Sequence, residues 1–269
     1  MKNNFILLFL FFICKVSSQE LLLHYSFDGN TLDSSSNGYD GSSFGVSFVP
    51  DRNGNPNSAA YFDGLDDYIS FPNITELKPN LPISISFWVR YDSDDYRDRT
   101  VFNTSFEEDV NSGIYLTSQS TTGKYALGYG DGTNNYSSAN GRSYKSENVI
   151  DTGVWHQVLI VVNSSSNMKI YVDCEELGGE YSGSGGGLSY SNFSGVIGKH
   201  DQHAALPAYF FKGAIDDFKY FKGEVIPDFK TPIFSGIEAS ICLEGDVVFP
   251  TSSDNGIEGV WSPAFDNSS

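Results

Sequence analysis

Short runs in which apolar and polar residues alternate recur along this chain. Leu21 to Phe27 is the first, and its large apolar side chains fall on one face. Ile83 to Val89 alternates in the same way, whereas Trp155 to Val162 starts so and then becomes apolar on both faces. A period of two is typical of a strand with one buried face, and a doubly apolar end is typical of a strand between two layers. The pattern predicts strands rather than helices.

Turn residues separate these runs. Met168 to Val172 follows Asn163-Ser-Ser-Ser-Asn167, which predicts a hairpin with the preceding strand. Phe210 to Phe221 predicts a long final strand, and no stretch combines a helical apolar stripe with helix caps. Gly, Asn, Ser and Asp recur in clusters between the runs. We therefore predict an all-β fold, an antiparallel sandwich.

The first 18 residues have the pattern of a secretory signal peptide. The apolar run Phe5 to Cys14 follows a positively charged start and is shorter than the roughly 20 residues needed to span a bilayer. The small residues Val16 and Ser18 predict cleavage before Gln19. No second apolar run of spanning length follows. We expect a mature chain that is secreted or held at the cell surface without inserting into the membrane.

The charge of the chain excludes several kinds of partner. Its formal net charge is −18, and loss of Lys2 and Lys15 with the signal peptide would leave −20. A nucleic-acid-binding protein needs a basic face, and an anionic membrane surface also attracts basic residues, so neither partner is expected. Aromatic residues make up 15% of the chain, which is typical of a folded protein rather than of a disordered acidic tail.

Several ordered motifs resemble a known family. They are Tyr25-Ser-Phe-Asp-Gly-Asn30, Phe62-Asp-Gly-Leu-Asp-Asp-Tyr-Ile69, Ile85-Ser-Phe-Trp-Val89, Gly153-Val-Trp-His-Gln-Val158, Lys169-Ile-Tyr-Val-Asp173 and Phe211-Lys-Gly-Ala-Ile-Asp-Asp-Phe218. In this order they resemble the laminin-G-like domain of the concanavalin A-like lectin and glucanase superfamily, from about Glu20 to Gly223. The resemblance implies a jelly-roll sandwich of two antiparallel sheets. It also implies binding of glycan, protein or matrix, often with calcium.

The C-terminal segment has a different composition. Residues 227–240 contain prolines and are predicted to be a linker. Residues 241–269 resemble the opening of an immunoglobulin-like adhesive repeat of bacterial surface proteins. The alternative is a flexible tail without regular structure. The predicted organisation is therefore a signal peptide (1–18), a laminin-G-like domain (19–226), the linker (227–240) and the incomplete repeat (241–269), which forms a short β-type C-terminal tail. Cys174, where the family usually has Gly, and Cys242 could pair in an exported protein or remain free thiols.

A calcium site is the metal site that the family resemblance favours. Asp28 heads an Asp-Gly-Asn turn, and carboxylate and carbonyl oxygens are the ligands that calcium prefers. The family pairs its first and last strands, so Asp216 or Asp217 would complete a shell begun by Asp28 and Asn30. Strict alternation allows only one of the two neighbouring acids to face the ion, and Asp216 is preferred. The alternative is that Asp28 to Asn30 is only a turn.

A second acidic turn holds Asp63, Asp66 and Asp67. We expect it to be a solvated β-turn, with Arg52 as a candidate partner of Asp63.

The ligand is predicted to bind to loop tyrosines. Tyr129, Tyr136 and Tyr144 lie in the polar segment from Thr121 to Asn148, and a phenol ring can stack on a sugar face. Trp88 and Trp155 sit in apolar runs and are predicted to be core residues. The overall acidity predicts weak binding of sulfated or uronic glycans unless calcium bridges them. The local basic candidates are Arg97, Arg99, Arg142 and Lys145.

Catalysis is not expected. A glycosidase needs two carboxylates flanking the sugar, and Glu107-Glu108-Asp109 lacks the same-face spacing of a strand-borne pair. The preferred hypothesis is a non-catalytic module of a secreted or cell-surface adhesin that binds glycan or a surface protein and is stabilised by calcium. The alternative is a carbohydrate-active enzyme, or an accessory module of a glycoside hydrolase.

Overall fold

The computed structural model describes residues 19–92, 99–105, 111–118, 123–133, 141–200 and 210–226. Within these ranges the secondary structure is one short 3-10 helix, Thr75–Leu77, and sixteen strands. In chain order the strands are β1 (Glu20–Tyr25), β2 (Ser42–Phe44), β3 (Ser47–Val49), β4 (Ala59–Asp63), β5 (Tyr68–Ser70), β6 (Ile83–Tyr91), β7 (Arg99–Asn103), β8 (Ile114–Ser118), β9 (Lys124–Gly130), β10 (Gly141–Val149), β11 (Trp155–Ser164), β12 (Asn167–Val172), β13 (Glu175–Leu177), β14 (Gly179–Ser182), β15 (Val196–Ile197) and β16 (Lys212–Lys222).

The strands form two antiparallel sheets, which confirms the predicted sandwich. Sheet A has the order β13-β12-β11-β6-β16-β4-β3, and β1 pairs with β16 beside β4. Sheet B has the order β14-β10-β9-β8-β7-β15-β5-β2. The predicted hairpin is β11 with β12, and the predicted long last strand is β16. No helix in the described residues is long and apolar enough to cross a membrane.

The chain divides into two units, Met1–Ile226 and Pro227–Ser269. The predicted signal peptide, linker and adhesive repeat lie outside the described residues, as do Tyr136 and Cys242. Cys174 is exposed in the turn between β12 and β13 and forms no disulfide with any described residue.

Aromatic rings from both sheets fill the core. Phe218 of β16 is fully buried, and its ring centroid lies 6.0 Å from that of Phe87 in sheet A. Its ring also lies 5.7 Å from Phe102 of sheet B and 5.8 Å from Phe71, which follows β5. The side chain of Phe218 therefore joins the two sheets at the centre of the sandwich.

A β-bulge interrupts β16 opposite β6. Asp216 pairs with Trp88 and Lys219 pairs with Ser86, so β16 has one more residue than β6 between these two pairs. Asp217 is the extra residue, with a φ of 53°. Because the bulge resets the alternation, Ile215 and Phe218 both remain in the core while Asp216 and Asp217 both lie on the opposite face. The prediction that only one of the two acids shares that face is wrong.

Candidate functional site

A groove of about 260 Å³ opens on the face of sheet A that points away from sheet B. We call it the outer groove, and it is lined by Arg52, Ser86, Phe87, Trp88, Gln157, Asp217 and Lys219. Strand register brings these residues together, because Gln157 of β11 lies opposite Trp88 and Lys219 of β16 lies opposite Ser86. The groove thus crosses three neighbouring strands. Its volume lies just below the range of about 300–1,000 Å³ common for small-molecule sites.

Trp88 belongs to this groove and not to the core. Its neighbours Phe87 and Val89 are buried, so the period of two turns Trp88 outward. The guanidinium carbon of Arg52 lies 4.6 Å from the centroid of the Trp88 ring. Trp155 is also only partly buried, and Arg90 lies over its ring at 5.4 Å. The prediction that both tryptophans are core residues is wrong.

Arg52 reaches the groove from the loop between β3 and β4. Oδ1 of Asp51 accepts hydrogen bonds from the backbone N–H of Asn53 at 2.9 Å and of Asn55 at 2.8 Å. The Asn55 side chain donates to Oδ2 at 2.9 Å. Desolvation alone would raise the pKa of Asp51, but these hydrogen bonds hold it below its ordinary value. The carboxylate fixes the loop conformation and with it the position of the neighbouring Arg52.

Arg52 binds both acids of the β16 bulge. Its Nη1 donates to Oδ2 of Asp216 at 2.5 Å, and its Nη2 donates to Oδ2 of Asp217 at 3.3 Å. The Asp216 side chain is only 5% exposed. Burial raises the pKa of Asp216 to about 7, even though the charge of Arg52 acts in the opposite direction. The prediction that Arg52 pairs with Asp63 is wrong, because the guanidinium is bound to the bulge.

Asp217 is held as a carboxylate. Its Oδ1 lies 2.8 Å from Nε2 of His24 and 3.3 Å from Nζ of Lys219. The hydrogen bond with His24 and the charge of Lys219 hold the pKa of Asp217 well below its ordinary value despite partial burial. Asp216 and Asp217 are adjacent in sequence, yet their surroundings shift their pKa values in opposite directions.

The residues predicted to bind calcium do not fit that ion. Asp216 and Asp217 already face Arg52, Lys219 and His24, so cationic and imidazole groups occupy the side from which a cation would approach. Asn30 is used within its own turn, where its side chain donates to the Asp28 carbonyl and accepts from the Leu32 N–H. We therefore derive no role for calcium at these four positions.

Asp33 organises the turn that follows β1, a role that the sequence analysis does not predict. Asp33 accepts backbone hydrogen bonds from His24 at 3.0 Å, Ser35 at 2.9 Å and Tyr39 at 3.0 Å. Burial alone would raise the pKa of Asp33, but these hydrogen bonds hold it below its ordinary value. The run Asp33-Ser-Ser-Ser-Asn-Gly38 was the available signal, because an Asp before Ser residues commonly binds nearby backbone N–H groups.

Asp28→Ala is expected to change the free energy of unfolding by less than about 0.5 kcal/mol, because Asp28 is exposed and its carboxylate has no partner among the described residues. Thermal melts of both proteins, with calcium and with a chelator, check this. A calcium-dependent stabilisation that Asp28→Ala abolishes would contradict it and restore the calcium site.

The second acidic turn is more compact than a solvated turn. Carboxylate oxygens of Asp63, Asp66 and Asp67 lie within 4.8 Å of one another. Asp67 is buried, and its Oδ2 accepts the backbone N–H of Asp63 at 2.9 Å. Burial raises the pKa of Asp67, and the neighbouring acids add to the rise. The Asp67 carboxylate therefore closes the turn between β4 and β5.

Two of the predicted ligand-binding tyrosines are packed within sheet B. Tyr129 lies in β9 and is 1% exposed, and its hydroxyl donates to the Gly186 carbonyl at 3.1 Å. Tyr144 lies in β10, is buried, and donates to the Leu177 carbonyl at 3.1 Å. The prediction that Tyr144 is a loop residue is wrong, because the Gly- and Ser-rich segment continues as a strand. Neither ring offers a free face for stacking, and Tyr136 lies outside the described residues.

Tyr144→Ala is expected to lower the free energy of unfolding by about 2 kcal/mol, because it removes a buried ring and its hydrogen bond. Tyr144→Phe removes only the hydrogen bond and is expected to cost about 1 kcal/mol. Urea denaturation of the two variants separates these contributions. Unchanged stability in Tyr144→Ala would show that the ring is not packed as described.

Comparison with known proteins gives the family. Residues 62–228 match the Laminin_G_3 family of the concanavalin A-like lectin/glucanases superfamily, and the chain belongs to this family. No curated protein matches the chain. Among solved structures, domain 4 of the extracellular GH43 arabinanase AbnA from Geobacillus stearothermophilus, in complex with arabinotriose, is 23% identical. The match covers 76% of this chain and 93% of that domain, with a TM-score of 0.56.

Botulinum neurotoxin binding domains are also similar in fold. The serotype D binding domain is 18% identical over 77% of this chain, with a TM-score of 0.57. A structure of botulinum neurotoxin type C, a toxin whose cell entry depends on interaction with two ganglioside molecules, is 18% identical, with a TM-score of 0.56. This chain covers 49% of each of these two longer chains. At such identities the likeness shows a shared fold.

Proposed function

We propose that residues 19–226 form a non-catalytic carbohydrate-binding module of a secreted or cell-surface protein, and that the outer groove is its binding site. One observation carries the proposal: an indole, an amide, a hydroxyl and an ammonium group line a single groove on a rigid sheet. Sugars present both apolar ring faces and hydroxyl groups, and this mixture of side chains can contact both.

The relatives support binding of a carbohydrate. The similar arabinanase domain was solved with arabinotriose, and the type C toxin structure concerns two ganglioside molecules. The present chain shares their fold, and we extend to it a role in glycan binding. The predicted signal peptide supports export, and the predicted adhesive repeat supports a surface protein.

The acids of the groove support binding without catalysis. Glycosidases place two carboxyl groups about 5–9.5 Å apart on either side of the scissile bond. Asp216 and Asp217 are neighbours on β16, and both bind the guanidinium of Arg52. Asp217 also contacts His24 and Lys219. Neither is placed to flank a sugar as an acid and nucleophile pair. The purified protein is therefore expected to bind oligosaccharides without releasing reducing sugar.

The test begins with a glycan array probed with the whole mature chain, followed by calorimetric titration of the best oligosaccharide. Gln157→Ala and Trp88→Leu are each expected to weaken binding about tenfold. Trp155→Leu is the matched control, because Trp155 lies on the same face beneath an arginine but does not line the groove. Full affinity in Trp88→Leu and Gln157→Ala would place the site elsewhere. Turnover that one Asp or Glu substitution abolishes would overturn the non-catalytic role.

A further inference from the structure

We infer that the outer groove selects glycans whose sugar carries a negatively charged group, a carboxylate or a sulfate, and this inference rests on the proposed function. It runs against the expectation from the overall charge of −18.

Several hydrogen-bond donors of the groove have no partner among the described residues. Lys219 has three N–H bonds, and among the described residues its ammonium group contacts only Asp217, at 3.3 Å. The side chains of Trp88, Gln157 and Ser86 make no hydrogen bond within the described ranges of the chain. An indole N–H, an amide N–H₂ and a hydroxyl therefore add to the free donors.

The charged acceptors of the groove are already engaged, and the two without a partner among the described residues, the amide oxygen of Gln157 and the hydroxyl oxygen of Ser86, are neutral. Oδ1 of Asp217 contacts His24 and Lys219, and its Oδ2 accepts from Arg52. Asp216 is buried beneath Arg52. A neutral sugar hydroxyl can donate only to these neutral acceptors, whereas a carboxylate or sulfate accepts from all the free donors of the groove. A charged ligand group also strengthens each hydrogen bond from Lys219.

The local charge agrees with this assignment. Arg52 and Lys219 contribute two positive charges at the groove, and Asp217 contributes one full negative charge. Asp216, beneath Arg52, adds a second negative charge only above its pKa of about 7, so the groove is net positive below that pH. Because salt screens exposed charges beyond about 8–10 Å, these nearby groups matter more to a bound ligand than the acids of the whole chain. Of the basic residues chosen from the sequence, Arg99 is buried against the carbonyls of Gly64 and Phe210, and Arg142 and Lys145 lie in β10 of sheet B. Arg97 lies outside the described residues.

Acidification is expected to strengthen binding. The pKa of Asp216 is about 7 because of burial, so its negative charge is lost as the pH falls through that value. The groups that face Asp216 are Arg52, Asp217 and the more distant Asp51, with His24 and Lys219 beyond Asp217. Neutral Asp216 leaves Arg52 with one counter-charge fewer. A uronate or sulfate keeps its charge throughout this range.

The experiment uses the whole mature chain and an array of matched sugars. Each set differs in one group: glucose with glucuronic acid, and galactose with galacturonic acid and galactose 6-sulfate. We expect at least one charged sugar to bind about tenfold more tightly than its neutral counterpart. Which charged members bind shows whether the groove takes a carboxylate or a sulfate. For a charged sugar, affinity should rise severalfold from about pH 8 to about pH 6, and it should stay constant for its neutral counterpart.

Lys219→Gln tests the site, and Lys222→Gln is its matched control on the same strand. Lys222 pairs with Glu20 and does not line the groove. Lys219→Gln should remove most of the preference for the charged sugar, while Lys222→Gln should leave it unchanged. If neutral and charged sugars bind with equal affinity, and Trp88→Leu weakens the binding of both, this inference is overturned and the proposed function stands. No binding, or binding that ignores every groove variant, would overturn both.

Discussion

Phe218→Ala is expected to lower the free energy of unfolding by about 4 kcal/mol, the largest loss that we expect from a single substitution. The ring is fully buried and lies within 6.0 Å, centroid to centroid, of Phe87 in sheet A and Phe102 in sheet B. Removing it leaves a cavity that both rigid sheets would have to close. Urea denaturation followed by circular dichroism measures the loss.

Phe44→Ala is the control for this substitution. Phe44 is 46% exposed and stacks on Tyr68 at the edge of sheet B, so its removal should cost no more than about 1 kcal/mol. Equal losses for the two variants would show that Phe218 is not the central contact between the sheets.

Arg52→Gln is expected to lower the free energy of unfolding by about 3 kcal/mol near pH 8, because a buried carboxylate loses its counter-charge. Burial raises the pKa of Asp216 from 3.8 to about 7 in the folded chain, and loss of Arg52 would raise it further. Between these pKa values the folded state binds more protons than the unfolded state. The contribution of Asp216 to stability therefore falls as the pH rises through this window. The loss caused by Arg52→Gln should then be small near pH 5, where Asp216 is protonated.

The double variant Arg52→Gln/Asp216→Asn supplies the control. An amide at position 216 carries no charge, so the double variant should recover most of the stability lost near pH 8. Chemical denaturation at several pH values distinguishes the cases. A loss that is the same at low and high pH, or one that Asp216→Asn does not reduce, would show that the ion pair is not its cause.

The sandwich could be predicted because its strands carry a local signal. Leu21 to Phe27 and Ile83 to Val89 show a period of two, and Trp155 to Val162 starts with it before becoming apolar on both faces. The structure places β1, β6 and β11 there. The β16 bulge had no such signal. Whether Asp217 is an extra residue depends on its pairing with β6, and the sequence of one strand does not contain that register.

The outer groove was missed for two different reasons. Trp88 is predicted to be a core residue because it sits in an apolar run, although the alternation of its own strand places it on the outer face beside buried Phe87. Arg52 carries no local sign of its role, because Asp216 is 164 residues further along the chain. Tyr144 shows the converse error, a buried residue that is predicted to lie in a loop. The many Gly, Ser and Asn residues around it indicate a loop, since such residues are uncommon in strands. There, packing against the rest of the sheet outweighed intrinsic preference.

The pairing of β1 with β16 has a mechanical consequence. Glu20 lies opposite Lys222, so the chain enters and leaves the domain at adjacent points. A force that pulls these two ends apart acts across the two strands, and their backbone hydrogen bonds break one pair after another from Glu20 towards Tyr25. Breaking the hydrogen bonds one pair at a time takes less force than shearing two strands, in which all the bonds between them resist together. We therefore expect β1 to separate from β16, and the domain to unfold, at low force when tension is applied through its two ends.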